Sequence, residues 1–258
     1  MNMSDKRPLI LISNDDGYLA GGINQLTDMV KSFGDVIVVA PDSGRSGAGM
    51  SITSSVPVSV RKIQDAPGCK VYACSGSPVD CVKLAVHSLT PRRPDLIVSG
   101  INYGDNSGVN AHYSGTMGVV LEGCIKGIPS IGFSSCETDK HTDFSPYTEF
   151  IQHVVEKTLA EGLPQGTCLN VNFPKGESYK GVKVARQDKG QWFGEWEITT
   201  RQNGDRHYWL SGEYVTDVPE DDGTDRWALD HGFIAVTPTT IDLTQYQFMD
   251  TLSEWFKA

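Results

Sequence analysis

Two adjacent carboxylates, Asp15 and Asp16, stand in "LILISNDDGYLAGG" directly behind a run of apolar residues. Like charges held side by side repel unless something positive lies between them. An N-cap accounts for only one of the pair, and a solvated turn needs no apolar strand to deliver it. Two further loops carry matching chemistry. "APDSGRSGAGMSIT" supplies Asp42, Ser43, Arg45 and Ser46 among glycines, and "SGINYGDNSGVNAHYSGT" supplies Asn102, Asn106, Ser114 and Thr116. Carboxylate, hydroxyl and amide oxygens are hard ligands suited to Mg²⁺ or Mn²⁺, and loops with no Cys and a single His, His112, argue against zinc. Glycines let backbone N–H groups approach an anion, and a helix starting near Ser114 would offer its positive end. An oxygen-ligated cation beside such an anion nest is what hydrolysis of a phosphate ester needs.

These loops must be positioned by the elements before them. "PLILIS" is continuous rather than alternating in its apolar residues, the pattern of a strand buried on both faces. Ile23, Leu26, Met29, Val30 and Phe33 then repeat at helical spacing up to Gly34, and "DVIVVAP" predicts a second buried strand. "SITSSVPVSVRKI" and "KVYACS" predict a hairpin or edge strands. Ser77, Pro78 and Asp80 mark a helix start by cap, first-turn proline and capping-box acid, which gives Asp80 a structural role. "PDLIVSG", "SIGFSS" and "CLNVNFP" predict core strands. Helices are predicted from about Ser114 to Gly127 and from a Ser145 cap to Gly162. This alternation implies a doubly wound α/β fold with a mainly parallel sheet, in which the three loops emerge on one edge, at the carboxyl ends of their strands. The chain divides into a core of residues 1–180 and an extension of residues 181–258 that is rich in Trp, Tyr, Gly and charge. "RHYWLSGEYV" and "GFIAVTP" predict strands there, "LSEWFKA" a short helix, and "PEDDGTD" a solvated loop.

With 22 Lys and Arg against 32 Asp and Glu, the formal net charge is −10, which argues against a nucleic-acid duplex as the main partner. Phosphate must therefore be handled by backbone donors and a metal. "MNMSDKRPLI" has no signal-peptide pattern and no apolar run is long enough to span a membrane, so the expected location is cytoplasmic. The six cysteines contain no C-x-x-C pair and read as reduced core residues. Arg45 is a candidate phosphate clamp, whereas a lone loop histidine such as His112 is ordinarily solvated rather than a general base. Trp192, Trp196 and Trp209 could stack on a base, but packing in a core or interface is their ordinary use.

The segments "ILISNDDGYLAGGI", "VVAPDSGRSGAGMSIT", "GSPVDCVKLA", "PDLIVSGINYGDNSG" and "YSGTMGVVLEG", followed by "GIPSIGFSS", "LNVNFP", "YWLSGE" and "GFIAVTPTTIDLT", together resemble the SurE family of metal-dependent nucleotidases. The resemblance covers nearly the whole chain in order. It implies a 5'/3'-nucleotidase acting on nucleoside monophosphates, in some members also on short polyphosphate, with one divalent cation, Mg²⁺ or Mn²⁺, per subunit. By position it assigns the metal to Asp15, Asp16, Ser46 and Asn102. Asn106, Ser114, Gly115 and Thr116 are similar to the family's phosphate-side loop, and Asn14 and Arg45 lie beside it as substrate-binding candidates. Asp15 or Asp16 would orient or deprotonate the attacking water. The resemblance also implies a Rossmann-like core and a C-terminal extension that exchanges elements between subunits, giving a homodimer or tetramer. Gly44 replaces a larger polar residue, Ser77 a common Thr, and Met117 and Val119 smaller residues; none is among the four ligands. Two other readings stay open: a phosphatase with a nucleophilic aspartate, which would want an acid where Gly17 stands, and a nucleotide-binding module without turnover.

Overall fold

The computed structural model describes residues 7–257. In chain order the elements are β1 (Leu9–Ser13), α1 (Gly21–Val30), β2 (Asp35–Pro41), β3 (Val60–Ala66), β4 (Cys69–Cys74), α2 (Pro78–Leu84), β5 (Leu96–Tyr103), α3 (Gly115–Ile125), β6 (Ser130–Ser135), α4 (Thr148–Glu161) and β7 (Thr167–Phe173). They continue with β8 (Val182–Val184), β9 (Gln191–Phe193), β10 (Trp196–Thr200), β11 (Arg206–Leu210), β12 (Glu213–Val215), α5 (Asp225–Asp230), β13 (Ile234–Thr240) and α6 (Tyr246–Glu254). One sheet runs β3-β4-β2-β1-β5-β6-β7-β13-β8. Its central strands are parallel; β3 and β13 run antiparallel to β4 and β7.

The continuous apolar run of β1 follows from its place at the centre. Ile10 and Ile12 face one core with Ile23, Leu26 and Val30 of α1 and Ile151 and Val155 of α4. Leu9 and Leu11 face the other, with Val82 of α2 and Val119 of α3. Each residue of the strand is therefore buried, as a parallel strand between two helical layers requires. Helix α2 starts as expected: Asp80 N–H donates to Ser77 Oγ at 3.1 Å, and Ser77 N–H donates to the Asp80 carboxylate at 2.8 Å. Asp80 also accepts from Thr53 N–H at 3.1 Å, which ties the preceding loop to the helix.

Several expectations are corrected. Residues 51–59 form no strand; the hairpin begins only at Val60. Ser51 and Thr53 use their backbone groups on Ser77 and Asp80 instead of on a neighbouring strand. Helix α4 begins at Thr148 without a side-chain cap. Ser145 opens a short 3₁₀ turn, held by the Asp143 carboxylate, which accepts from Ser145 N–H at 2.9 Å and its hydroxyl at 2.7 Å. The acidic run ends in a buried residue, Asp225, at the start of α5. Beyond residue 180, β8 and β13 complete the main sheet, while β10–β11 and β9–β12 form separate two-stranded ribbons.

Helix α1 is pressed onto β5 so closely that a Cβ on Gly22 would lie 2.0 Å from the Ile101 carbonyl oxygen. Gly22→Ala should destabilise the protein by ~2–3 kcal/mol, because backbone has to move on both sides of the contact. Thermal melting checks this, and an unchanged melting temperature would contradict the packing.

Candidate active site

The loops after β1, β2 and β5 meet at the carboxyl edge of the sheet, the edge where ligands bind in open parallel sheets. Arg45 N–H donates to the Asp15 carbonyl at 2.7 Å, Tyr18 N–H to the Pro41 carbonyl at 3.0 Å, and Gly49 N–H to the Tyr113 carbonyl at 2.9 Å. Beyond Ser99 the β5–β6 pairing shifts register, setting Asn102 opposite Ser134.

Asp15 is buried against the first turn of α3. Ser114 caps that helix by accepting from Met117 N–H at 3.0 Å. A Cβ on Gly115 would lie 2.6 Å from Asp15 Cβ, so only glycine admits the carboxylate so close to the helix start. Thr116 Oγ1 donates to Asp15 Oδ1 at 2.7 Å. Burial pushes the Asp15 carboxyl above its ordinary range, opposed by the Thr116 hydroxyl and by backbone donors that include Gly115 and Thr116. Asp16 is pushed up to about 6, first by burial and then by the charge of Asp15. The Lys140 charge and the Tyr103 N–H oppose that rise. Asp16 Oδ2 is buried with no hydrogen-bond partner among the described residues.

The remaining candidates divide by what their side chains already do. Asn14 is fully buried, and its amide closes the turn by donating to the Gly17 carbonyl and accepting from Gly17 N–H, both at 3.1 Å. It shapes the loop and has no free side-chain group for a substrate. Thr116 and Ser114 are likewise engaged, with Asp15 and with Met117 N–H. Asn106 Nδ2 donates to Ser134 Oγ at 2.7 Å, inside a network with Asn170 and Asn172. Ser46 is exposed on its loop. Asn102 Nδ2 donates to the Gly104 carbonyl at 2.7 Å, which leaves its amide oxygen as the free end. Arg45 Nη2 donates to the Ser75 carbonyl at 3.0 Å, while its buried Nε has no partner. His112 is exposed and lies 3.2 Å from Gln187 Nε2.

The donor set fits a hard divalent cation. An orphaned carboxylate oxygen, a second carboxylate beside it, a free amide oxygen and an exposed hydroxyl are all oxygen ligands. Among the described residues no group of three or more His, Cys, Asp and Glu gathers, so a zinc-type cluster is absent there. Sequence reasoning missed Tyr103 and Lys140, which act on Asp16 from the end of β5 and the loop after β6. Tyr103 had the signal of ending an expected site strand, whereas Lys140, after β6, had none.

A family model described as "Survival protein SurE" matches residues 10–194. The chain belongs to the SurE family. It is 51% identical over 253 residues to the 5'-nucleotidase SurE of Phocaeicola vulgatus, covering 98% of each chain. It is 48% identical to the 5'-nucleotidase SurE of Bacteroides fragilis, covering 98% of this chain and 99% of that one. The crystal structure of the SurE protein from Aquifex aeolicus superposes with a TM-score of 0.83 at 39% identity, covering 97% of this chain and 100% of that one. The SurE fold of this chain thus extends through its last strand and into the C-terminal segment.

A carboxyl whose pKa is higher folded than unfolded stabilises below its unfolded value and loses that contribution as pH rises through the folded one. For Asp16 that window runs from the ordinary 3.8 up to about 6. In metal-free protein at pH 8, Asp16→Asn should therefore raise stability by ~1–2 kcal/mol after discounting for solvent screening. The gain should vanish near pH 4. Melting in EDTA across this range checks it; a lowered melting temperature at pH 8 would refute the unpaired-carboxylate account.

Proposed function

We propose that the chain is a divalent-metal-dependent 5'/3'-nucleotidase that splits nucleoside monophosphates into nucleoside and phosphate. The observation that carries this reading is buried Asp15, packed against the start of α3, beside half-buried Asp16, whose Oδ2 has no hydrogen-bond partner among the described residues. Relatives across nearly the full length bear the name 5'-nucleotidase. Short polyphosphate offers the same terminal phosphoryl group and belongs to the same proposal.

Asp15, Asp16, Ser46 and Asn102 would hold one Mg²⁺ or Mn²⁺. When bound, the cation supplies Lewis-acid polarisation of a phosphoryl oxygen and a water of lowered pKa. Asp15 is locked by the Thr116 hydroxyl and keeps the site's geometry. Asp16 is the better placed to orient or deprotonate the water, because Oδ2 has no partner among the described residues. Asn102 offers its oxygen because its NH₂ is held by Gly104. Arg45 Nε, buried and unpartnered, is a donor for a phosphoryl oxygen. Asn106 and Ser114 shape the phosphate side through the contacts they already make.

The proposal extends to assembly. No residue of α6 is buried, and Trp196, Ile198, Tyr208, Trp209 and Leu210 stand exposed on the β10–β11 ribbon. Apolar surface of this extent marks an interface. Residues 181–258 would serve as an oligomerisation extension of the 1–180 core, giving a homodimer or tetramer. Among the described residues no helix is long and apolar enough to cross a membrane.

Phosphate release from 5'- and 3'-nucleoside monophosphates should appear with Mn²⁺ or Mg²⁺ and vanish with EDTA. Asp15→Asn should lower it by about 10³-fold or more while the protein stays folded. A folded, metal-loaded wild type inactive on every nucleotide would favour the binding module. Light scattering should give at least twice the 28.1 kDa chain mass. The double variant Trp196→Glu, Trp209→Glu should shift it toward the monomer, and a monomeric wild type would end the assembly proposal.

A further inference from the structure

Apart from the carboxylate pair, the most heavily buttressed part of the site is the turn Gly108–His112. The side chains that hydrogen-bond to it all come from beyond residue 180. Gly108 N–H donates to Asp225 Oδ2 at 3.0 Å, and the Gly108 carbonyl accepts from Gln187 Nε2 at 3.0 Å. Trp192 Nε1 donates to Asn110 Oδ1 at 2.8 Å. A Cβ on Gly108, whose φ is +51°, would lie 2.3 Å from the Tyr214 hydroxyl oxygen. Behind these, fully buried Asp225 also accepts from Asp188 N–H at 2.9 Å, and Asp188 accepts from the Tyr214 hydroxyl at 2.7 Å.

None of these residues hydrogen-bonds Asp15, Asp16, Ser46 or Asn102, so the clamp is not needed to hold the cation's ligands. What it does fix is the rim. The turn leads into Tyr113, 63% exposed, whose N–H donates to the Asn110 carbonyl at 3.1 Å. Tyr113 immediately precedes Ser114 and Gly115, which pack α3 onto Asp15. An exposed aromatic side chain one residue before the helix start that packs on Asp15 suits the flat face of a base.

We propose that Trp192 is a positioning residue: through Asn110 it sets the turn so that Tyr113 presents its ring to the nucleoside half of the substrate. The inference rests on the nucleotidase reading and names where that substrate's organic half is recognised.

The test uses the full-length, Mn²⁺-loaded protein and compares kcat/KM for a nucleoside monophosphate with kcat/KM for p-nitrophenyl phosphate, which has no nucleoside. Trp192→Phe keeps the ring and removes the N–H; it should lower that ratio about three- to tenfold, the worth of one hydrogen bond. Tyr113→Ala should lower the ratio similarly, and Tyr113→Phe should restore it. Hydrogen exchange of the peptide spanning residues 108–113 should quicken in Trp192→Phe. A ratio unchanged in Trp192→Phe and Tyr113→Ala, or both activities falling together, overturns the inference, as does unchanged exchange in the turn. A wild type that splits only the aryl phosphate removes the nucleotidase reading itself, and that result is seen before any variant is made.

Discussion

Keeping two neighbouring carboxylates out of water, side by side, is the constraint around which the rest of this site is arranged. Burial resists the ionisation of both, and the charge of Asp15 makes Asp16 harder still to ionise. The protein answers with partial charges rather than with a close cation. The first turn of α3 points its donors at Asp15, a threonine hydroxyl completes the set, and Tyr103 lends a backbone N–H to Asp16. That answer is incomplete by one oxygen, Asp16 Oδ2. That oxygen is the one the proposed cation would take.

Placing such a pair demands rigidity behind it. β1 is buried on both faces, and α1 touches the β5 backbone through Gly22 with no side chain between them. α3 touches the Gly49 carbonyl in the same manner, since a Cβ on Gly118 would come within 2.3 Å of it. Two glycines thus let two helices approach backbone that carries site residues. The loops themselves can then be short of regular structure and still be held in place, because each is hydrogen-bonded to one of the others.

Much of this was legible in the sequence, and the reason is local. The β1 and β2 runs announce strands buried on both faces, and Ser77 with Asp80 announces a helix start, because both signals lie within a few residues. Convergence of three loops follows from the rule for parallel sheets once the alternation is seen. The misreadings are long-range. Thr53 is drawn to Asp80, so a β-rich stretch forms no strand. Asp143, not Ser145, organises the entry to α4. Thr116 turns inward to Asp15, Lys140 reaches Asp16 from a loop far along the chain, and Asp225 is buried at the end of an acidic run that looks solvated. No spacing rule links such residues before the fold exists.

The position of β13 has a consequence for how the chain comes off the ribosome. β13 pairs with β7 on one side and β8 on the other, yet it is made after both, about 60 residues beyond the end of β7. Until residues 234–240 have emerged, β7 presents an open row of N–H and C=O groups at the sheet's margin. The strands bearing Asp15 and Asn102 are synthesised long before, and pair with each other directly through β1 and β5. The half of the molecule that holds Asp15 and Asn102 therefore has its own neighbours early, while the opposite margin stays open to pairing with other chains until β13 has been made.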